Sequence, residues 1–426
     1  MSFDNLPRSW QLISLEDAMD AIIDYRGKTP KKTESGIPLI TAKIVKGGYV
    51  LEPFEFIAED NYDSWMVRGL PQVGDVVLTT EAPLGETAQL TSANVALAQR
   101  IVTLRGKRGV LDNDFLLCAL QSDFVQHQLE SRASGSTVKG IKQSELRKVS
   151  LPIPPLPEQQ KISQVLKSLS NKLVCNTQTN QTLEEMAQAI FKSWFVDFDP
   201  IKAKMSGEQP EAMDAATASL FPEKLVESEL GLIPEGWDVG TLSDVAKYCS
   251  ARTNTDTITL ENYISTENML AEKKGVTAAS KLPTAKTVAA YKSGDILVSN
   301  IRPYFKKIWL AEGSGGRSND VLGFESVSEN TDSYVMNLLY QDTFFEYMTR
   351  TSKGAKMPRG DKTAIMNWEM AVPPVELREA FSAIVDKFYQ LIPQNRAQNA
   401  TLESLRDTLL PKLLSGEIEL DSQGSQ

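Results

Sequence analysis

At 426 residues, 41% of them hydrophobic, the chain carries material for about two or three domains, and no apolar run approaches the ~20 residues needed to cross a bilayer. Its net charge of −10 argues at first sight against a nucleic-acid partner. Three isolated cysteines, Cys118, Cys175 and Cys249, exclude a disulfide-stapled scaffold. With a start that lacks the basic and apolar runs of a signal peptide, they point to a cytoplasmic protein.

In chain order, the first half opens with Pro7-Arg8-Ser9-Trp10, followed by Leu15, Glu16 and Asp17. Leu39–Thr41 and Ile101–Leu104 read as strands, and Gly74-Asp75 reads as a turn feeding the buried strand Val76-Val77-Leu78. Phe115–Arg132 has the pattern of an amphipathic helix. After Ser134-Gly135-Ser136-Thr137 and Leu151-Pro152-Ile153-Pro154-Pro155, a long helical run extends from Pro157, a comfortable first-turn proline, to Trp194. From Phe198 to Gly231 the chain turns polar and acidic and reads as a connector, with one short helix around Ala212–Leu220.

The second half repeats this order. Pro234-Glu235-Gly236-Trp237 opens it, Tyr263–Ser265 and Gly294-Asp295-Ile296-Leu297-Val298 match the earlier strands, and Ser333–Arg350 matches the helix. Ser352-Lys353-Gly354-Ala355 and Val372-Pro373-Pro374 then lead into a helical run from Val375 to Leu414. Gly135 and Gly354, Pro155 and Pro374, and Leu183 and Leu402 all stand 219 residues apart. A period this long is a duplicated half-molecule, since solenoid units recur every ~20–50 residues. The implied domains are 1–154, 155–198 (first long helix), 199–231 (connector), 232–372, 373–415 (second long helix, kinked near Pro393) and 416–426 (a disordered tail).

Both long runs carry a heptad seam. Ile162, Leu169, Asn176, Leu183 and Ile190 interleave with Leu166, Leu173, Asn180, Ala187 and Trp194. Phe381, Phe388, Asn395, Leu402 and Leu409 interleave with Val385, Ile392, Asn399, Arg406 and Leu413. Asparagine falls at the middle of both. An antiparallel pairing would join Asn176, Asn180, Asn395 and Asn399 in a polar layer that fixes register and direction. Two separate helices, each packed on its own globule, are the alternative.

Basic residues gather despite the acidic total. Arg26, Lys28, Lys31, Lys32, Lys43 and Lys46 form one cluster. Arg132, Lys139, Lys142, Arg147 and Lys148 form a second, and Arg350, Lys353, Lys356, Arg359 and Lys362 a third. Acid collects between Glu208 and Glu235. Such segregation suits DNA on one face and a protein partner on another. Catalytic patterns are missing. His127 is the only histidine, no phosphate-binding Gly-x-x-x-x-Gly-Lys loop exists, and Asp75 with Glu81 lacks the following lysine of a nuclease cluster. No metal site is expected.

Taken together, Pro234-Glu235-Gly236-Trp237, Gly74-Asp75 through Thr79-Thr80-Glu81, Gln99-Arg100, Ser134-Gly135-Ser136-Thr137 and Leu151 through Gln160 closely resemble the specificity (S) subunits of type I restriction-modification systems. The likeness covers nearly the whole chain. It implies an α+β fold: two similar mixed α/β target-recognition domains related by a pseudo-two-fold axis and joined by two long antiparallel helices in a coiled coil. It further implies a non-catalytic DNA-binding protein. Each domain would read one half of a split, asymmetric double-stranded site, and the helices would dock two modification subunits that bind S-adenosylmethionine and methylate adenine. Restriction subunits would complete the complex, with ATP and Mg held, like S-adenosylmethionine, on partner subunits only. The competing class is a duplicated adaptor that binds protein or peptide, its basic loops merely solvated.

For phosphate contact the expected residues are Arg132, Ser134, Gly135, Ser136, Lys139 and Lys142, with Ser352, Lys353, Gly354, Lys356 and Lys362; a plain helix-capping loop is the other reading. For base contact they are Arg26, Lys43, Thr80 and Glu81 in the first domain and Asn300, Arg302, Lys306 and Lys307 in the second. Tyr304 would stack or touch a thymine methyl, unless it is core. A run of ~40 helical residues spans ~60 Å, so helix length would set the gap between half-sites. Four residues inserted in Lys172–Thr182 would change that gap.

Overall fold

The computed structural model describes residues 6–135 and 138–420. It separates into two compact units, one ending at Asn176 and resuming at Gln398, the other running from Thr177 to Ala397. The unit boundaries fall inside both long helices, which are Leu156–Phe195 and Val375–Leu414.

The first unit is built on an antiparallel four-stranded sheet. Its order is Met19–Asp24, Ile101–Gly106, Val76–Thr80, Leu84–Gln89. Gly74, at φ +90, makes the turn, and the Asp75 carboxylate accepts the Gln72 N–H at 2.8 Å. Every residue of Val76–Thr80 is then buried. A second sheet, Ala96–Leu97, Ile37–Ile40, Phe56–Ile57, Lys32–Thr33, encloses a separate apolar cluster around Leu39, Ile57 and Val77. Gln11–Ser14 pairs with Ser150–Ile153, tying the start of the chain to the entry of the first long helix. There Gln159, fully buried, donates to Val110 O and Pro154 O at 2.8 Å and accepts from Asp112 N at 2.8 Å.

The second unit repeats the plan. Its main sheet runs Ala246–Tyr248, Val321–Ser326, Ile296–Ser299, Ile308–Leu310, and a second runs Arg252–Asn254, Thr287–Tyr291, Gly315–Arg317, Tyr263–Ile264. Gly294 repeats the φ of +90, and Asp295 accepts from Lys292 N at 2.9 Å. The electrostatics of the two turns differ. Asp75 is bound twice by Arg105, at 2.8 Å each. Among the described residues Asp295 has no such bidentate arginine, and burial raises its pKa.

Three expectations are corrected. The helices expected at Phe115–Arg132 and Ser333–Arg350 are each two. Asn113–Gln121 stops at Ser122, which is extended (ψ 146) and caps Asp123–Arg132 by accepting from Val125 N. Asp332–Leu339 and Asp342–Arg350 part at Gln341, also extended. The acidic stretch after Phe198 is not only a connector. It holds helices Asp199–Met205 and Ala215–Ser219 and the hairpin Leu225–Ser228 with Gly231–Pro234, and it inserts Ile201 and Phe221 into the core of the second unit. Finally, Ile418 and Leu420 pack against the first unit's core, so order continues past 415; residues 421–426 lie outside the described residues.

Within each unit the two long helices run antiparallel. In the first, Ile162 and Leu166 share a core with Leu413 and Leu414. In the second, Phe191 and Trp194 meet Phe381 at ring distances of 5.7 and 6.0 Å. Pro393 lies inside a segment that remains helical from end to end. No helix among the described residues is long and apolar enough to cross a membrane.

Candidate nucleic-acid interface

In the first unit the buried strand Val76–Thr80 ends at Glu81, whose backbone bridges Gly140. Ser134 bridges the same glycine through two hydrogen bonds of 2.9 and 3.0 Å, and Ile141 N donates to Thr80 O at 3.0 Å. Ser134 and Gly140 are thus held together against the end of the sheet. Gly135 permits that closure: it sits at φ +115, and a Cβ there would lie 2.2 Å from Val138 O. Beside it the chain turns at Ala82, at φ +52, before Pro83.

The second unit builds the same edge from different residues. Ile301 and Lys353 both bridge Arg359, Arg302 N donates to Pro358 O at 2.8 Å, and Gly354 and Arg302 adopt φ +102 and +51. The chain turns at Arg302-Pro303, where the first unit has Ala82-Pro83.

Not all of the expected contact residues face outward. Thr80 is 2% exposed and gives its hydroxyl to Arg100 O, so it shapes the strand end and cannot meet a base. Arg26 is consumed internally, donating to Ile141 O at 2.9 Å beside Asp24. Lys43 belongs to the other sheet edge, where it shares Glu55 with Lys32; the Lys32 ammonium holds that carboxyl below its usual range. Arg132 faces Glu145 at 3.9 Å. Glu81 is on the edge, paired with Arg100 at 3.0 Å. Ser134, Gly135, Lys139 and Lys142 are exposed there as well, and neither lysine makes an ion pair among the described residues. Ser136 lies outside the described residues.

In the second unit Asn300 is 6% exposed, with its Oδ1 unpartnered above Gly360, where a Cβ would come within 2.6 Å. It is a buried support and not a reader. Lys307 donates to Thr266 O at 2.6 Å, and burial lowers its pKa. Lys306 pairs with Asp342 at 3.1 Å. The Lys273 ammonium, with Lys306, holds that carboxyl below the usual range. Lys353 pairs with Asp361, and Ser352 caps its own helix by donating to Thr349 O. Gly354 lies in the exposed loop. That leaves Arg302, Lys356 and Lys362, whose cationic groups make no hydrogen bond or ion pair among the described residues, and Tyr304, 46% exposed.

Sequence reasoning missed Arg100 and Arg68 in the first unit; Arg68 clamps Asp24 O and Arg26 O at 2.8 and 2.9 Å. In the second it counted Arg359 in a basic cluster without naming it a contact; Arg359 pairs with Asp320 at 3.3 Å. The Gln99-Arg100 pair was the available signal for the first of these.

The seam asparagines form two pairs. In the first unit Asn176 donates to Asn399 at 2.9 Å and to Gln398 at 2.7 Å. In the second Asn395 donates to Asn180 at 2.8 Å. Among the described residues no group of three or more His, Cys, Asp or Glu is placed to hold a metal.

Known proteins share this plan. The model of the type I restriction modification DNA specificity domain matches residues 7–185. The MjaIX type I restriction enzyme specificity subunit of Methanocaldococcus jannaschii is 26% identical, across 98% of this chain and 95% of its own. The HindI specificity subunit of Haemophilus influenzae is 24% identical across 76% and 82%. The crystal structure of a type I restriction-modification S subunit from M. genitalium aligns with 99% of this chain and 98% of that one at a TM-score of 0.57 and 15% identity, a likeness of fold.

Proposed function

We propose, for a chain that belongs to the type I restriction-modification specificity subunits, that it is the DNA-reading, non-catalytic member of such a complex. Each unit reads one half of a split double-stranded sequence through the sheet edge described above. The paired helices set the distance between halves and dock two modification subunits. S-adenosylmethionine, and the ATP and Mg of the restriction subunits, are held on those partners. One observation carries this reading: the same edge is built twice, with Glu81-Ala82 in one unit and Ile301-Arg302 in the other. Equal scaffolds with unequal side chains suit a site whose halves differ. The family likeness favours DNA over the protein-adaptor alternative.

The test is binding of the complex, with its modification subunits, to a split site across a salt series. Replacing Lys139, Lys142, Lys356 and Lys362 by Gln weakens binding to all sequences. It also flattens the log–log salt slope by roughly 0.9 for each phosphate that is no longer neutralised. Arg302→Ala instead relaxes discrimination in one half only. A slope unmoved in the fourfold variant removes these loops from the interface.

A further inference from the structure

One feature of the second unit has no counterpart in the first. Pro303–Phe305 is a single 3-10 turn flanked by two non-glycine residues in the left-handed region, Arg302 at φ +51 and Lys306 at φ +50. L-residues adopt that region at an energetic cost, and such strain persists only where the surroundings impose it. Here they do: Arg302 N donates to Pro358 O at 2.8 Å, Glu272 N to Phe305 O at 2.9 Å and Lys273 N to Lys306 O at 2.9 Å. The turn is held from both sides.

What it presents is apolar. Tyr304 is 46% exposed and Phe305 38%, their rings 4.8 Å apart, and Met357, beside the clamping Pro358, is 49% exposed. Arg302, Lys306 and Lys307 flank the pair in sequence, with Lys307 Nζ 5.9 Å from the Phe305 ring, and Lys356 and Arg359 flank Met357 and the clamping Pro358; of these, Lys306, Lys307 and Arg359 are engaged internally. An exposed aromatic pair flanked by cations fits a ligand with flat apolar faces between anionic groups, which is a base step between phosphates. In the first unit the corresponding turn is Ala82-Pro83-Leu84, and Leu84 packs against the core.

We propose that the Arg302–Lys306 turn is a wedge that partly unstacks one base step of duplex DNA, with Tyr304 and Phe305 covering the opened base face, and that only the second unit does this. The proposal rests on the DNA-reading function given above. Such wedges favour steps that part easily, TA and CA/TG, so part of the second unit's specificity would be read as deformability and not as base edges.

The experiment uses the full chain with its modification subunits and duplexes carrying 2-aminopurine at successive positions of the split site. Methylated adenines are left out of the scan, because a base turned out for chemistry brightens too. The second unit's half is the one that changes when residues 232–372 are replaced by those of a relative of other specificity. The wild-type complex should brighten the probe severalfold at one step in or beside that half and at none in the other. Tyr304→Ala with Phe305→Ala should abolish the rise and weaken specific binding roughly ten- to a hundredfold, while Tyr304→Trp retains it. Specific binding without brightening, equal brightening in both halves, or brightening undiminished in the double variant overturns the wedge. Absence of any specific binding by the wild-type complex overturns the DNA-reading function itself. The wild-type scan decides even if a variant misfolds.

Discussion

Four residues inserted into each long helix, after Asn176 and after Ala397, lengthen the gap between the two half-sequences by on the order of one to two base pairs and leave both halves unchanged. Four residues are close to one helical turn, so every seam residue keeps its face, and they add ~6 Å of rise. A duplex advances ~3.4 Å per base pair. The insertion has to be matched. Asn176 pairs with Asn399 and Asn180 with Asn395, so lengthening only Lys172–Thr182 would stretch one helix between the two asparagine pairs and not the other. Methylation of a DNA library with graded gaps reads the result. A preferred gap unchanged in the matched variant removes the helices from the role of spacer.

Phe381→Ala costs the second unit about 3–5 kcal/mol. The ring is fully buried on the second long helix and meets Phe191, Trp194 and Phe195 of the first at 5.7, 6.0 and 5.3 Å, while Phe195 also stacks edge-on against Tyr334 at 5.0 Å. Removing it leaves a cavity where the two helices meet the globule, and the neighbouring rings are left without their edge-on partner. Urea unfolding followed by tryptophan fluorescence suits the measurement, since Trp194 and Trp237 line this core. The expected result is a lower midpoint for the second unit with its slope preserved. A midpoint equal to wild type would mean that this cluster does not hold the helices on the globule.

The doubled plan was legible because it depends on local pattern. A Gly-Asp turn before an apolar run, a heptad seam and a fixed offset are visible without knowing any tertiary packing. The helix breaks were not, because Ser122 and Gln341 keep the helical period alive while their own backbones are extended. Ile201 and Phe221 were hidden by the acidic residues around them, although two large apolar side chains suffice to anchor a polar stretch. At the proposed interface, residue type alone cannot separate a cation offered to solvent from one spent on the backbone. Arg26 and Lys307 donate to the carbonyls of Ile141 and Thr266, whereas among the described residues the Arg302 and Lys356 side chains make no such bond. Thr80 and Asn300 share one cause of error: Thr80 ends one buried strand and Asn300 directly follows the other, and both are buried, so polar character there serves the fold.

The most direct measurement of the central claim is a map of methylated adenines in the genome of cells carrying this chain with its modification subunits. A split motif with two different half-sequences, one of which alone changes when residues 232–372 are exchanged, is the predicted result. A continuous motif, two identical halves, or both halves changing together would contradict it.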